Sequence, residues 1–170
     1  MDILRTATDW AKAEVFSTAF FIMAAIMFLL ASIGFWQLGK TEIAKAYIIP
    51  TLVAGILLLT IGLGLFFTNK LRIDQFEKAY NENALAFVNS EQERVDRTLN
   101  EYQTIVFKAI PIIIAICALI ITFVDIPIWR ASMITTISML AVILLIDGTA
   151  HARIQDYNHQ LLLMQSSSKL

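Results

Sequence analysis

Residues 47–67 read YIIPTLVAGILLLTIGLGLFF and residues 105–124 read IVFKAIPIIIAICALIITFV, while the stretch between them, 68–104, is polar and charged. A helix rises ~1.5 Å per residue, so about 20 residues cross the ~30 Å hydrocarbon layer of a bilayer. Both apolar runs have that length. The pattern predicts two membrane spans joined by a helical hairpin that stands in water.

Working outward, two further runs have the same character, Val15–Trp36 and Ile126–Ile146. The chain of 170 residues is 58% hydrophobic. A soluble domain is nearer about 45–50% apolar, and four buried helices of this length would leave too little polar sequence to cover them. The expected fold is an all-α integral membrane protein: a four-transmembrane-helix antiparallel bundle with cytosolic helical extensions, forming one domain over residues 1–170. Its spans are expected at about 15–36, 47–67, 105–124 and 126–146. The links are short, Gly39–Lys45 and Asp125-Ile126-Pro127, so consecutive spans are expected to be antiparallel neighbours. The first run is longer than a signal-peptide core and is read as a retained span. The apolar positions Ile3, Leu4, Ala7, Trp10 and Ala11 share one helical face, which fits either an amphipathic helix on the membrane surface or the first turns of span one; the second is preferred because no helix breaker separates it from Val15.

Four spans put both termini and the 69–104 insert on one side. Ten of the thirteen Lys and Arg residues fall there, against Lys40, Lys45 and Arg130 opposite. The positive-inside tendency then predicts a multi-pass inner-membrane protein with both termini in the cytoplasm.

Within the insert, Phe76, Tyr80 and Phe87, then Val95 and Leu99, recur at helical steps and mark an apolar seam, the candidate partner-binding surface. Ser90-x-x-Glu93 has capping-box spacing after Asn89, which predicts the turn of the hairpin near 89–90. After Asp147-Gly148 an amphipathic helix is expected over 148–164, followed by a frayed tail from Gln165 to Leu170.

Three further groups of residues are candidates. Gly55, Thr60, Gly62 and Gly64 give span two a small-residue face for close helix packing. Ser132, Thr135, Thr136 and Ser138 form a hydroxyl stripe on span four that fits either a pore lining or hydrogen bonding within the bundle. Glu14, Arg72, Glu101 and Arg153 fall near the inner ends of the spans, where acid–base pairs lock helices together; their spacing also carries a faint echo between the two halves of the chain.

No Walker loop, HExxH, CxxC or nucleophile elbow occurs. Cys117 is the only cysteine, inside an apolar run, and the net charge of −1 does not indicate a nucleic-acid partner. No acidic or basic residue lies deep in a run, which argues against proton-coupled transport. The expectation is a non-enzymatic membrane subunit with no cofactor or metal. It works in the lipid bilayer by self-association or by binding a membrane-protein partner through its cytosolic hairpin. The alternative is an oligomeric ion or small-solute channel lined by the span-four hydroxyls.

Overall fold

A computed structural model describes residues 3–167. Every regular element among them is helical: α1 (Ile3–Leu38), α2 (Glu42–Ala46), α3 (Ile48–Glu82), α4 (Ala84–Glu101), a π-helix (Tyr102–Ala109), α5 (Ile110–Phe123) and α6 (Pro127–Ser167). Four stretches, Ile3–Leu38, Glu42–Glu82, Ala84–Phe123 and Pro127–Met164, are long and apolar enough to cross a membrane.

The organising contact is α1 against α3. Its buried positions on α3 include Thr51, Gly55, Leu58, Gly62, Asn69 and Phe76, and on α1 Ala7, Ala11, Thr18, Phe21, Ala25 and Ser32. Both rows repeat in steps that sum to seven, the spacing that keeps one face of a helix against a partner over many turns. The contacts run in opposite order along the two helices. The Ser32 hydroxyl donates to the Ile48 carbonyl at 2.8 Å, Leu29 lies over Gly55, Phe21 and Ile22 lie over Gly62, and Trp10 faces Arg72. α6 closes a three-helix core with Phe21, Ala25 and Leu58 at its centre and Met139, Ile143 and Ile146 packed against it.

α5 is held differently. It packs on α6 through Ile110 and Leu140, and makes no close approach to α1 or α3. The π-helix that precedes it has a local cause. Pro111 has no N–H to return to the Phe107 carbonyl, so α-helical bonding fails one turn earlier. There the turn widens, with the Ile110 N–H donating to the carbonyl of Ile105, five residues back.

At the polar end the early turns of α1, the last turns of α3, α4 and the C-terminal half of α6 enclose a second core. Ile3, Ala7, Trp10, Ala11, Phe76, Phe87, Val95, Ile154, Tyr157 and Leu161 are buried together there, with Tyr80 and Leu99 packed at its edge. We call this part the head. Fully burying a side chain such as Leu161 or Ile154 stabilises by about 1.5–3 kcal/mol, so the head is a core in its own right.

Three expectations change. The hairpin turns at Asn83, not near 89–90. Asn83 is extended (φ −159°, ψ 99°) and its side chain accepts from the Ala86 N–H at 3.0 Å, capping α4. Ser90 lies within α4 and donates to the Phe87 carbonyl at 2.8 Å, so no capping box forms. The turn at Asn83 wins because it brings Phe87 against Phe76 and Tyr80, with ring centroids 5.4 and 5.9 Å apart. The apolar seam is not an open docking surface: Phe76 is 5%, Phe87 4% and Val95 0% exposed, covered by α1 and α6 of the same chain. The tail is helical through Ser167; residues 168–170 of the expected frayed tail lie outside the described residues. The reading of Ile3–Ala11 as the start of the first long helix agrees with the continuous α1.

Candidate functional site

Where the apolar helices meet the head, polar side chains from α1, α3, α4 and α6 converge on Trp10. Its indole stacks on the ring of Tyr157, centroids 5.3 Å apart and planes 12° from parallel. The Arg94 guanidinium lies 4.4 Å from the indole and that of Arg72 lies 5.7 Å from it. The side chains come together because Trp10 sits on the α1 face that packs on α3, while Arg94 and Tyr157 stand on the inward faces of α4 and α6.

Two ion pairs serve this centre. Arg94 donates twice to Glu91, Nε to Oε1 at 2.9 Å and Nη2 to Oε2 at 2.6 Å. Both side chains are well buried, 15% and 6% exposed. The Tyr157 hydroxyl donates to the same Glu91 carboxylate at 3.0 Å. Burial first, and then the Glu91 charge, push the Tyr157 phenol upward, so it remains a donor at neutral pH. The second pair joins α1 to α6, Arg153 Nε to Glu14 Oε1 at 3.0 Å. Across α4 and α6, the Gln92 amide donates to Asn158 at 2.8 Å.

Arg72 is the exception. Its Nη1 donates to the Asn69 Oδ1 at 2.7 Å, and among the described residues no carboxylate lies within ion-pair distance of it. Burial, then the repulsion of Arg94, push its pKa down. A cavity of about 170 Å³ opens beside it, walled by Trp10, Glu14, Asn69, Arg72, Arg94 and Tyr102.

Of the four expected inner-interface residues, then, the structure pairs Glu14 with Arg153 and, among the described residues, leaves Arg72 and Glu101 out of ion pairs. Glu101 is exposed and lines a cleft of about 330 Å³ with Ile61, Leu65, Ile105, Val106 and Asp147. The small-residue face divides as well. Gly55 and Gly62 are pressed against α1, whereas Thr60 is exposed and a β-carbon on Gly64 would meet nothing within 4 Å. Thr60 and Gly64 therefore play no part in packing inside the chain; the helix is rotated so that the seven-residue row containing Gly55 and Gly62 faces α1.

The hydroxyl stripe divides too. Ser132 and Ser138 donate to the Ile128 and Ile134 carbonyls at 2.8 and 2.9 Å, the ordinary way a helix absorbs a hydroxyl. Ser132, Thr135 and Thr136 line a cleft of about 350 Å³ between α3 and α6, with Pro50 and Met139 on its walls; Ser138 is not part of it.

Among the described residues no group of three or more His, Cys, Asp or Glu side chains could hold a metal ion. His151 is ringed instead by Phe107 and Tyr102, centroids 4.9 and 5.5 Å away.

Compared with protein-family models, curated proteins and solved structures, this chain matches none.

The centre around Trp10 was not anticipated from sequence. Glu91-x-x-Arg94 has the spacing of an intrahelical pair, and Asn69 falls seven residues after Gly62 and seven before Phe76, but neither signal says which other helix completes the cluster.

Proposed function

We propose that the chain is an integral inner-membrane protein whose four long helices cross the bilayer as an antiparallel bundle, with the head and both termini in the cytoplasm. It acts without catalysis, as a subunit that associates with further copies of itself. Composition, helix length and the excess of Lys and Arg on the head side support this placement. The seam of the hairpin is used up inside the head, so the association surface lies elsewhere.

The observation that carries the reading is the outer face of α3. Thr60 and Gly64, four residues apart, are exposed, and Gly64 has open space where its β-carbon would be. Small residues at that spacing let a second helix backbone come close, which is how helices associate in a solvent as apolar as themselves. The face borders the cleft between α3 and the π-helix, which α5 does not close because it packs on α6 alone. Native mass spectrometry from nanodiscs tests this. The wild type is expected as a dimer or larger assembly and Gly64→Leu as a monomer with an unchanged melting temperature in detergent. A monomeric wild type, or a Gly64→Leu variant that assembles as before, would sink the reading.

A channel formed by several copies is the second reading. It is favoured by one fact: Thr135 and Thr136 make no hydrogen bond among the described residues, unlike Ser132 and Ser138. Their replacement by leucine is expected to change flux through reconstituted protein at least several-fold. Unaltered flux in a verified channel removes them from the pore.

A further inference from the structure

The cavity beside Arg72 has an unusual balance of donors and acceptors. Arg72 is a partly buried cation whose hydrogen-bond partner is a neutral amide. Asn69 is 5% exposed and spends its Oδ1 on Arg72, which leaves its NH2 group to donate. The indole N–H of Trp10 also has no partner among the described residues, but it is sealed off from the cavity. The Tyr102 hydroxyl makes no hydrogen bond among the described residues, and burial, with help from Asp147 and Glu14, holds it protonated. Arg94 spends its Nε and Nη2 on Glu91, which matches its charge. The one carboxylate on the wall, Glu14, has its charge matched by Arg153. Glu91 and Glu14 act on Arg72 only from beyond ion-pair distance, and a buried charge so incompletely paired is costly, as are unsatisfied buried donors.

We propose that this cavity is an oxyanion site, in which Arg72 supplies the charge and Asn69 and Tyr102 supply further donors to a phosphate group. Guanidinium and phosphate match in geometry as well as charge. At about 170 Å³, against a share of ~30 Å³ for one water, the cavity has room for a phosphate group with a little water. Its walls come from the ends of the apolar runs, Glu14 just before 15–36, Leu65 near the end of 47–67 and Tyr102 just before 105–124. That is the depth at which an acidic phospholipid carries its phosphate, and polar pockets on the cytoplasmic side of helix bundles hold such headgroups. A free phosphate ion offers the same chemistry.

The test is the melting temperature of the full-length protein in nanodiscs. One series adds phosphatidylglycerol to phosphatidylcholine discs. The other titrates inorganic phosphate into pure phosphatidylcholine discs, against chloride at equal ionic strength; this arm does not depend on the proposed orientation. A saturable rise is expected in at least one series, since a ligand that binds only the folded state stabilises it. A rise with phosphatidylglycerol alone assigns the site to a lipid headgroup, and a rise with phosphate assigns it to a free ion. Arg72→Gln is expected to abolish the rise while melting no lower than wild type in phosphatidylcholine, because it also removes a like charge beside Arg94. Arg97→Gln, which removes an exposed charge from α4, is expected to keep the rise. No rise in either series, a rise retained by Arg72→Gln, or an equal loss in Arg97→Gln overturns the proposal, as does an Arg72→Gln protein that melts well below wild type. If Arg72→Gln does not accumulate, Tyr102→Phe carries the test. It keeps a ring against His151 but loses the hydroxyl, and about a tenfold weaker response is expected; an unchanged response overturns the assignment.

Discussion

Replacing Glu91 with alanine is expected to destabilise the head by about 3–5 kcal/mol, the usual cost of removing one partner from a buried ion pair. The Glu91 side chain is 6% exposed and accepts from both Arg94 and Tyr157. Without it Arg94 stays buried, unpaired, and close enough to Arg72 for the two cations to repel. Glu93, exposed on the same helix, sets the baseline: its alanine variant is expected within about 0.5 kcal/mol of wild type. Thermal melting followed by circular dichroism, with limited proteolysis of α4, reads both. A double variant, Glu91→Leu with Arg94→Met, is expected to recover most of the loss, because an apolar pair leaves no orphaned charge. A loss below about 1 kcal/mol for Glu91→Ala would mean that the network around Trp10 does not hold the head together.

The second large effect is steric and lies in the apolar part of the molecule, between α1 and α3. A β-carbon on Gly55 would sit 2.8 Å from two side-chain carbons of Leu29 and 3.1 Å from its backbone nitrogen. On Gly62 it would sit 3.0 Å from Phe21 and Ile22 side-chain carbons and 3.3 Å from the Ile22 nitrogen. Side chains can turn aside, but backbone atoms move only if α1 moves. Valine at either position is expected to cost about 1–3 kcal/mol by overpacking. The two sites are ~10 Å apart along the helix, but both push on α1, so one shift of α1 relieves part of both and the double variant is expected to cost less than the sum of the single costs. Gly34→Val is the comparison, since nothing lies within 4 Å of a β-carbon there. Melting temperatures in detergent should fall for Gly55→Val and Gly62→Val and stay near wild type for Gly34→Val. Equal behaviour of the three variants would show that α1 and α3 are not in close contact.

The position of the apolar runs was legible because length and hydropathy are local properties. So were the two short links and the continuation of α1 through Ile3–Ala11. The face that α3 turns to α1 was not. Thr60 and Gly64 carry the more familiar spacing, and the choice of Gly55 and Gly62 depends on a matching row in α1 some thirty residues away. The seam from Phe76 to Leu99 was correctly an apolar face, but its covering comes from both ends of the chain, Ile3–Ala11 and Ile154–Leu161. A sequence read along its length shows that a face needs covering and not what covers it. The same limit hid the pairing of Glu14 with Arg153 from the choice among four candidates, and hid Arg94 and Tyr157 altogether.

α1, α3 and α6 run unbroken from the head into the apolar region, so they act as struts: a push at one end is delivered at the other. The remaining connection is jointed twice, by the single residue Asn83 and by the wide turns of Tyr102–Ala109. The rod between the two joints, α4, carries Glu91 and Arg94, and the rod beyond the second joint, α5, leans on α6 alone. Arg94 and Tyr102 belong to this jointed connection, whereas Trp10, Asn69 and Arg72 belong to the unbroken helices, so the pocket wall is built from both.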